Sequence, residues 1–91
     1  MKKKISALHI LVENSYQCDD LLKKIDDGVS FEKLAQDYST CNSASEGGSL
    51  GEFGKGMMVK PFEDAAFSLK VGQVSRPVRT QFGYHLIKRI T

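Results

Sequence analysis

The feature that most constrains this chain is a pair of apolar runs near its two ends, residues 5–12 (ISALHILV) and 84–90 (YHLIKRI), each carrying one histidine. Both are short and rich in aliphatic and β-branched residues, which marks them as strands. Runs this apolar suit strands covered on both faces, so the two are expected to be central neighbours in one sheet. The period of two puts Ile5, Ala7, His9 and Leu11 on one face of the first strand and Ser6, Leu8, Ile10 and Val12 on the other. In the last strand His85, Ile87 and Arg89 share a face, opposite Tyr84, Leu86, Lys88 and Ile90. The chain has only these two histidines. If the strands pair, both imidazoles can meet on one sheet face.

Between the strands the pattern changes to helical. Asn14 or Ser15 can cap a helix whose apolar residues Cys18, Leu21, Leu22 and Ile25 follow i, i+3, i+4, i+7 spacing, with Gly28 as the stop. Ser30 can cap a second helix with Phe31, Leu34, Ala35 and Tyr38 directed inward. Residues 39–56 hold five glycines and four serines, a long loop in which Leu50–Phe53 form a short strand. A third helix is expected over residues 60–69, with Pro61 at its start, Glu63 and Asp64 facing the N-terminal dipole, and Phe62, Ala65, Ala66 and Leu69 inward. Residues 74–79 read as an edge strand because Pro77 cannot donate to a ladder, and residues 80–83 turn the chain into the last strand. The order is β-α-α-β-α-β-β, an α+β domain.

The 91 residues fit one domain spanning 1–91, with a modest core. A net charge of +2 and the lack of a basic–aromatic face argue against nucleic acid as a partner. Lys2, Lys3 and Lys4 read as a solvated terminus; Ser6, His9 and Glu13 interrupt the apolar stretch behind them, so no targeting segment is expected. No run approaches the roughly 20 apolar residues of a membrane span. Cys18 falls on a helix stripe, and two cysteines make no disulfide framework, which points to free thiols in a reducing, cytoplasmic compartment.

His9 and His85 have two readings. Each can be a separate core histidine satisfied by a backbone partner. Alternatively they form one chain, since a neutral imidazole has one donor and one acceptor, with Thr80 and Cys41 as the hydroxyl and thiol able to terminate it. A zinc site from His9, His85 and Cys41 has the residue types but not a recognised ligand spacing, so neither a metal nor another cofactor is expected. A Cys–His hydrolase would need an orienting carboxylate and an oxyanion site, and nothing in the chain points to either.

The stretches HILV (9–12), SFEKLAQDYSTC (30–41), GGSLGEFGKGMMVKPFEDAAFSL (47–69) and VGQVSRPVRTQFGYHLIKRI (71–90) resemble the parvulin-type peptidyl-prolyl cis/trans isomerases, of the single-domain, PpiC-like kind. The segment 47–69, of the form GGxLGxFxxGxMVxxFExAxF, is the most specific. The resemblance covers almost the whole chain. It implies a β-α3-β-α-β2 fold, a four-stranded antiparallel sheet surrounded by helices, in which a short helix over residues 43–46 would supply the third of the first helix group. It also implies catalytic positions at His9, Cys41, Thr80 and His85. The apolar proline pocket would be formed by Leu50, Met58, Phe62 and Phe82, flanked by Gln81. For Leu50, Met58, Phe62 and Phe82 the competing reading is plain core packing.

The reaction so implied is rotation about an X–Pro bond in proline-containing peptides and in unfolded or partly folded proteins. Cys41 is open to three roles: a structural thiol, a nucleophile aided by His9, or a polar modulator of the substrate carbonyl. Aspartate at this position in relatives favours the modulator. Phosphate-directed relatives carry basic residues after the first strand, whereas here that stretch is ENSYQ (13–17), and no phosphate requirement is expected. A peptide-binding holdase with little turnover is the main rival. A monomer is expected.

Overall fold

A computed structural model describes residues 4–91; Lys2 and Lys3 lie outside them. The elements are β1 (Lys4–Val12), α1 (Ser15–Asp26), α2 (Phe31–Tyr38), a 3₁₀ turn (Asn42–Glu46), β2 (Ser49–Gly54), α3 (Lys60–Ser68), β3 (Val78–Thr80) and β4 (Gly83–Arg89). They form an antiparallel sheet in the order β2-β1-β4-β3, with the two apolar strands as its central pair. The fold is α+β with the β-α3-β-α-β2 order, the 3₁₀ turn standing as the third helical element.

Both faces of the central pair are buried, for different ends. Leu8, Ile10, Val12 and Leu86 pack under α1 and α2 with Cys18, Leu21, Phe31, Leu34 and Ala35. Ile5, Ala7 and Ile87 pack under α3 with Phe53, Phe62, Ala66 and Leu69. In the β1–β4 ladder His9 lies opposite Ile87 and Leu11 opposite His85. The histidines are thus diagonal neighbours on the α3 face, close enough for long side chains to touch.

Local chemistry explains the element ends. The Asn14 amide donates to Gln17 Oε1 at 2.9 Å at the start of α1, and Ser30 Oγ accepts from the Lys33 amide at 3.2 Å at the start of α2. Arg89, buried on β4, donates to the Leu69 carbonyl at 2.7 Å and so closes the C-terminal end of α3.

The structure departs from the sequence reading in two places. Tyr38 is 49% exposed rather than inward: it is the last residue of α2, and it is the next residues that turn to the sheet, the Thr40 amide donating to the Leu11 carbonyl at 2.8 Å. The strand expected over residues 74–79 is replaced by an isolated bridge, Val74 to Lys88, followed by β3 at Val78–Thr80. Ser75 keeps one ladder bond, its amide donating to the Ile87 carbonyl at 2.8 Å, and replaces the return bond. Its Oγ accepts from the Ile87 amide at 3.0 Å and donates to the Arg76 carbonyl at 2.8 Å, so a side chain stands in for strand pairing next to Pro77.

The β1–β2 register shifts between Ser6 and Leu8, where Leu50 and Gly51 lie opposite Ala7, and Gly48 follows just past the Leu8–Ser49 pair, against His9. The His9 amide donates to the Gly48 carbonyl at 2.9 Å, and the Gly48 amide donates to the Ser43 carbonyl at 2.9 Å. Gly48 has φ +85°, and a Cβ there would collide with the His9 carbonyl oxygen. This close approach ties the Gly/Ser-rich stretch to the strand that carries His9. Gly48→Ala is expected to destabilise the fold by about 2 kcal/mol or more, read from the urea-denaturation midpoint, because it combines left-handed strain with a backbone clash.

Candidate active site

The two imidazoles meet directly. His9 Nδ1 lies 3.0 Å from His85 Nδ1. Their planes differ by 19° and their centroids are 5.2 Å apart, about the hydrogen bond plus two ring radii, so the rings join edge to edge rather than stacking face to face. His9 is 5% exposed and His85 4%. At the outer ends, His9 Nε2 lies 3.1 Å from Ser43 Oγ and His85 Nε2 lies 2.8 Å from Thr80 Oγ1, which also accepts from the Phe82 amide at 3.1 Å. All four ring nitrogens are therefore spent within the chain Ser43–His9–His85–Thr80.

One proton between two Nδ1 atoms dictates the protonation pattern. With both rings neutral, one imidazole must be the Nδ1–H tautomer and the other the Nε2–H tautomer. Two imidazolium ions would bring two Nδ1–H groups face to face. Burial, and secondarily the charge His85 would carry, lower the pKa of His9 to about 4. Burial also lowers that of His85. At neutral pH the pair is uncharged.

Phe62, from the first turn of α3, stands perpendicular to both rings, with centroids 5.6 Å from His9 and 5.2 Å from His85. The edge-to-face geometry suits the electropositive rim of one ring and the π face of another. In front of this trio opens a cleft of about 420 Å³ lined by Leu11, Cys41, Leu50, Met57, Met58, Val59 and Phe82 as well as His9, His85 and Phe62. Its lining is apolar apart from the imidazoles and one thiol. Phe82 is 61% exposed and forms the outer wall.

Of the residues singled out from sequence, His9, His85, Cys41, Leu50, Met58, Phe62 and Phe82 all line the cleft. Thr80 sits behind it, bonded to His85. Gln81 is exposed in the β3–β4 turn and outside the lining. Cys41 borders the cleft, but the group meeting His9 is Ser43, two residues further on; the Cys41 amide is held by Ser39 Oγ at 3.3 Å. Ser43 was not anticipated, since nothing in a Gly/Ser-rich stretch distinguishes one serine until the 3₁₀ turn aims it. Leu11, Met57 and Val59 were also missed as lining residues. Leu11 shares the His9 face by strand period, and Met57 and Val59 flank Met58, so adjacency was the available signal. No group of three or more metal-ligating His, Cys, Asp or Glu side chains occurs among the described residues.

The pH dependence follows from the neutral pair. The folded pKa of His9, about 4, lies below its ordinary 6.5, so the unfolded chain takes up the proton first as pH falls. This stability is complete above pH 6.5 and is lost between there and about pH 4. The loss is about 3 kcal/mol from His9, with His85 acting in the same direction. Chemical denaturation at stepped pH should show this slope and His9→Asn should reduce it; a flat profile between pH 7 and 4 contradicts it.

Comparison with known proteins places this geometry in context. The rotamase family described as the PPIC-type PPIase domain matches residues 9–91. The foldase protein PrsA of Geobacillus sp. (strain WCH70) is 56% identical over 88 residues, 96% of this chain and 32% of that protein. The crystal structure of peptidylprolyl isomerase (PrsA) from Bacillus anthracis superposes with TM-score 0.95 at 46% identity, over 98% of this chain and 42% of that one. The solution structure of NmPin, the parvulin of Nitrosopumilus maritimus, superposes with TM-score 0.89 at 50% identity, over 97% of this chain and 96% of that one. The chain spans about a third of the length of the PrsA foldase it matches.

Proposed function

Because the chain belongs to the PPIC-type peptidyl-prolyl cis/trans isomerase family, the parvulins, we propose that its cleft takes the proline of an X–Pro bond and accelerates rotation about that bond without covalent chemistry. The observation that carries this reading is the apolar cleft backed by two buried, mutually bonded imidazoles with Phe62 upright against them.

The barrier to overcome is about 18–20 kcal/mol, because rotation breaks amide resonance. In the twisted state the carbonyl is less polar and the nitrogen more pyramidal than in the planar bond. Water favours the planar form, so moving the bond into an apolar, sheltered cleft removes that preference. Leu50, Met58, Phe62 and Phe82 grip the ring, and the flexible thioether of Met58 adapts as it moves. The histidines hold the floor in one protonation pattern, with Thr80 and Ser43 fixing their outer nitrogens. Cys41 biases the electrostatics at the substrate carbonyl.

No Lys or Arg occurs among the described residues lining the cleft, which supports an unphosphorylated substrate. The PrsA relatives are named as foldases, and the proposal extends that role to this chain, with unfolded or partly folded proteins as clients. We further read it as a monomer of one domain working in a reducing, cytoplasmic compartment. The free thiols Cys18 and Cys41 support the compartment. Among the described residues no helix is long and apolar enough to cross a membrane.

Exchange NMR on proline tetrapeptides tests the proposal against a holdase. Faster cis/trans exchange at catalytic amounts of protein is expected, with no gain from phosphoserine before proline. Binding without added exchange would leave only the holdase. For the thiol, Cys41→Ser and Cys41→Asp are each expected to keep kcat/KM within about tenfold. Loss of activity in both would restore the nucleophile.

Thiol labelling gives an independent check on the two cysteines. Burial, with Asp19 nearby, pushes the Cys18 thiol up to about 11, so an alkylating reagent at neutral pH should modify Cys41 alone in the folded protein. Equal labelling of both would contradict the buried placement of Cys18.

A further inference from the structure

Part of the cleft lining does not belong to the sheet. Met57, Met58 and Val59 belong to the segment joining β2 to α3. Its own hydrogen bonds are weak: the Met57 amide reaches the Gly54 carbonyl at 3.4 Å, and the Gly54 amide reaches Met57 Sδ at 3.3 Å. Its one charge-assisted tie comes from the side chain of Glu63, whose Oε1 accepts from the Gly56 amide. Gly56 has φ +90° with open space where a Cβ would be, so glycine is needed there for conformation and not for room. That conformation accompanies an amide aimed at the helix. A second tie, Lys55 Nζ 5.6 Å from the Phe67 ring centroid, also ends on α3.

Glu63 follows Phe62 in the first turn of α3. One helical turn therefore supplies the ring that stands on the histidines and the carboxylate that holds the methionine segment. We propose that Glu63 is a positioning residue: by tying Gly56 to α3 it keeps Met57 and Met58 in the cleft lining with Phe62, and so governs how tightly the substrate proline is held rather than how fast the held bond rotates. This rests on the reading of the cleft as the X–Pro site. Asp64, its neighbour, is engaged elsewhere, with Lys60 Nζ at 3.3 Å.

The test uses the whole chain and the variants Glu63→Ala and Glu63→Gln. Titration with a proline tetrapeptide gives affinity, exchange NMR gives kcat, and the Gly56 amide shift reports the bond. Glu63→Ala should weaken binding about tenfold with kcat changed by no more than about twofold. Its Gly56 amide should move upfield, while Glu63→Gln, which keeps an acceptor, should recover most of the affinity. Gly56→Ala strains the same bond from its other end and should show the same division between affinity and kcat. Unchanged affinity in Glu63→Ala, equal losses in the Ala and Gln variants, or a fall in kcat at constant affinity would each overturn the proposal. Wild-type protein that binds the peptide without catalysing exchange would defeat the isomerase reading, while the affinities would still decide the role of Glu63.

Discussion

The structure depends on one hydrogen bond between two buried imidazoles on adjacent strands. Burying a polar group without a partner costs on the order of 1–3 kcal/mol, and a half-satisfied network is worse than an apolar core. The pair escapes that cost only because every ring nitrogen is used: Nδ1 against Nδ1, with Ser43 and Thr80 at the outer ends. This requirement reaches outward. Thr80 must end β3, the turn after it must present the Phe82 amide, and Ser43 must be carried to His9 by a 3₁₀ turn anchored through Gly48.

The same interaction divides the domain. One face of the β1–β4 pair is an ordinary aliphatic core under α1 and α2. The other begins as a core at Ile5, Ala7 and Ile87, then opens toward the histidines. Phe62 stands at that boundary, packed with the core on one side and lining the cleft on the other. Core packing and substrate contact are therefore not competing explanations for this residue; the first is what sets the second.

How much was legible in the sequence depended on how local the determining physics is. The two central strands and the shared face of His9 and His85 followed from strand period, because both are short, mostly apolar runs in which the period of two assigns each histidine a face. The helices followed from stripe and cap residues such as Ser30. The functional assignment drew on a long motif over residues 47–69, and composition alone would not have supplied it. What was hidden was contact set by tertiary placement. Ser43 resembles its serine neighbours until the turn aims it, Ser75 replaces a ladder bond by its side chain, and Tyr38 lies on the apolar stripe of a helix that ends too soon to bury it.

The central claim is that the two imidazoles are neutral, joined through Nδ1, and of opposite tautomers. Nitrogen-15 NMR of the histidine rings at pH 7 reads this directly. The account predicts one Nδ1–H ring, one Nε2–H ring and a scalar coupling between the two Nδ1 nuclei across the shared proton. Two rings of the same tautomer with no such coupling, or an imidazolium at that pH, would contradict it.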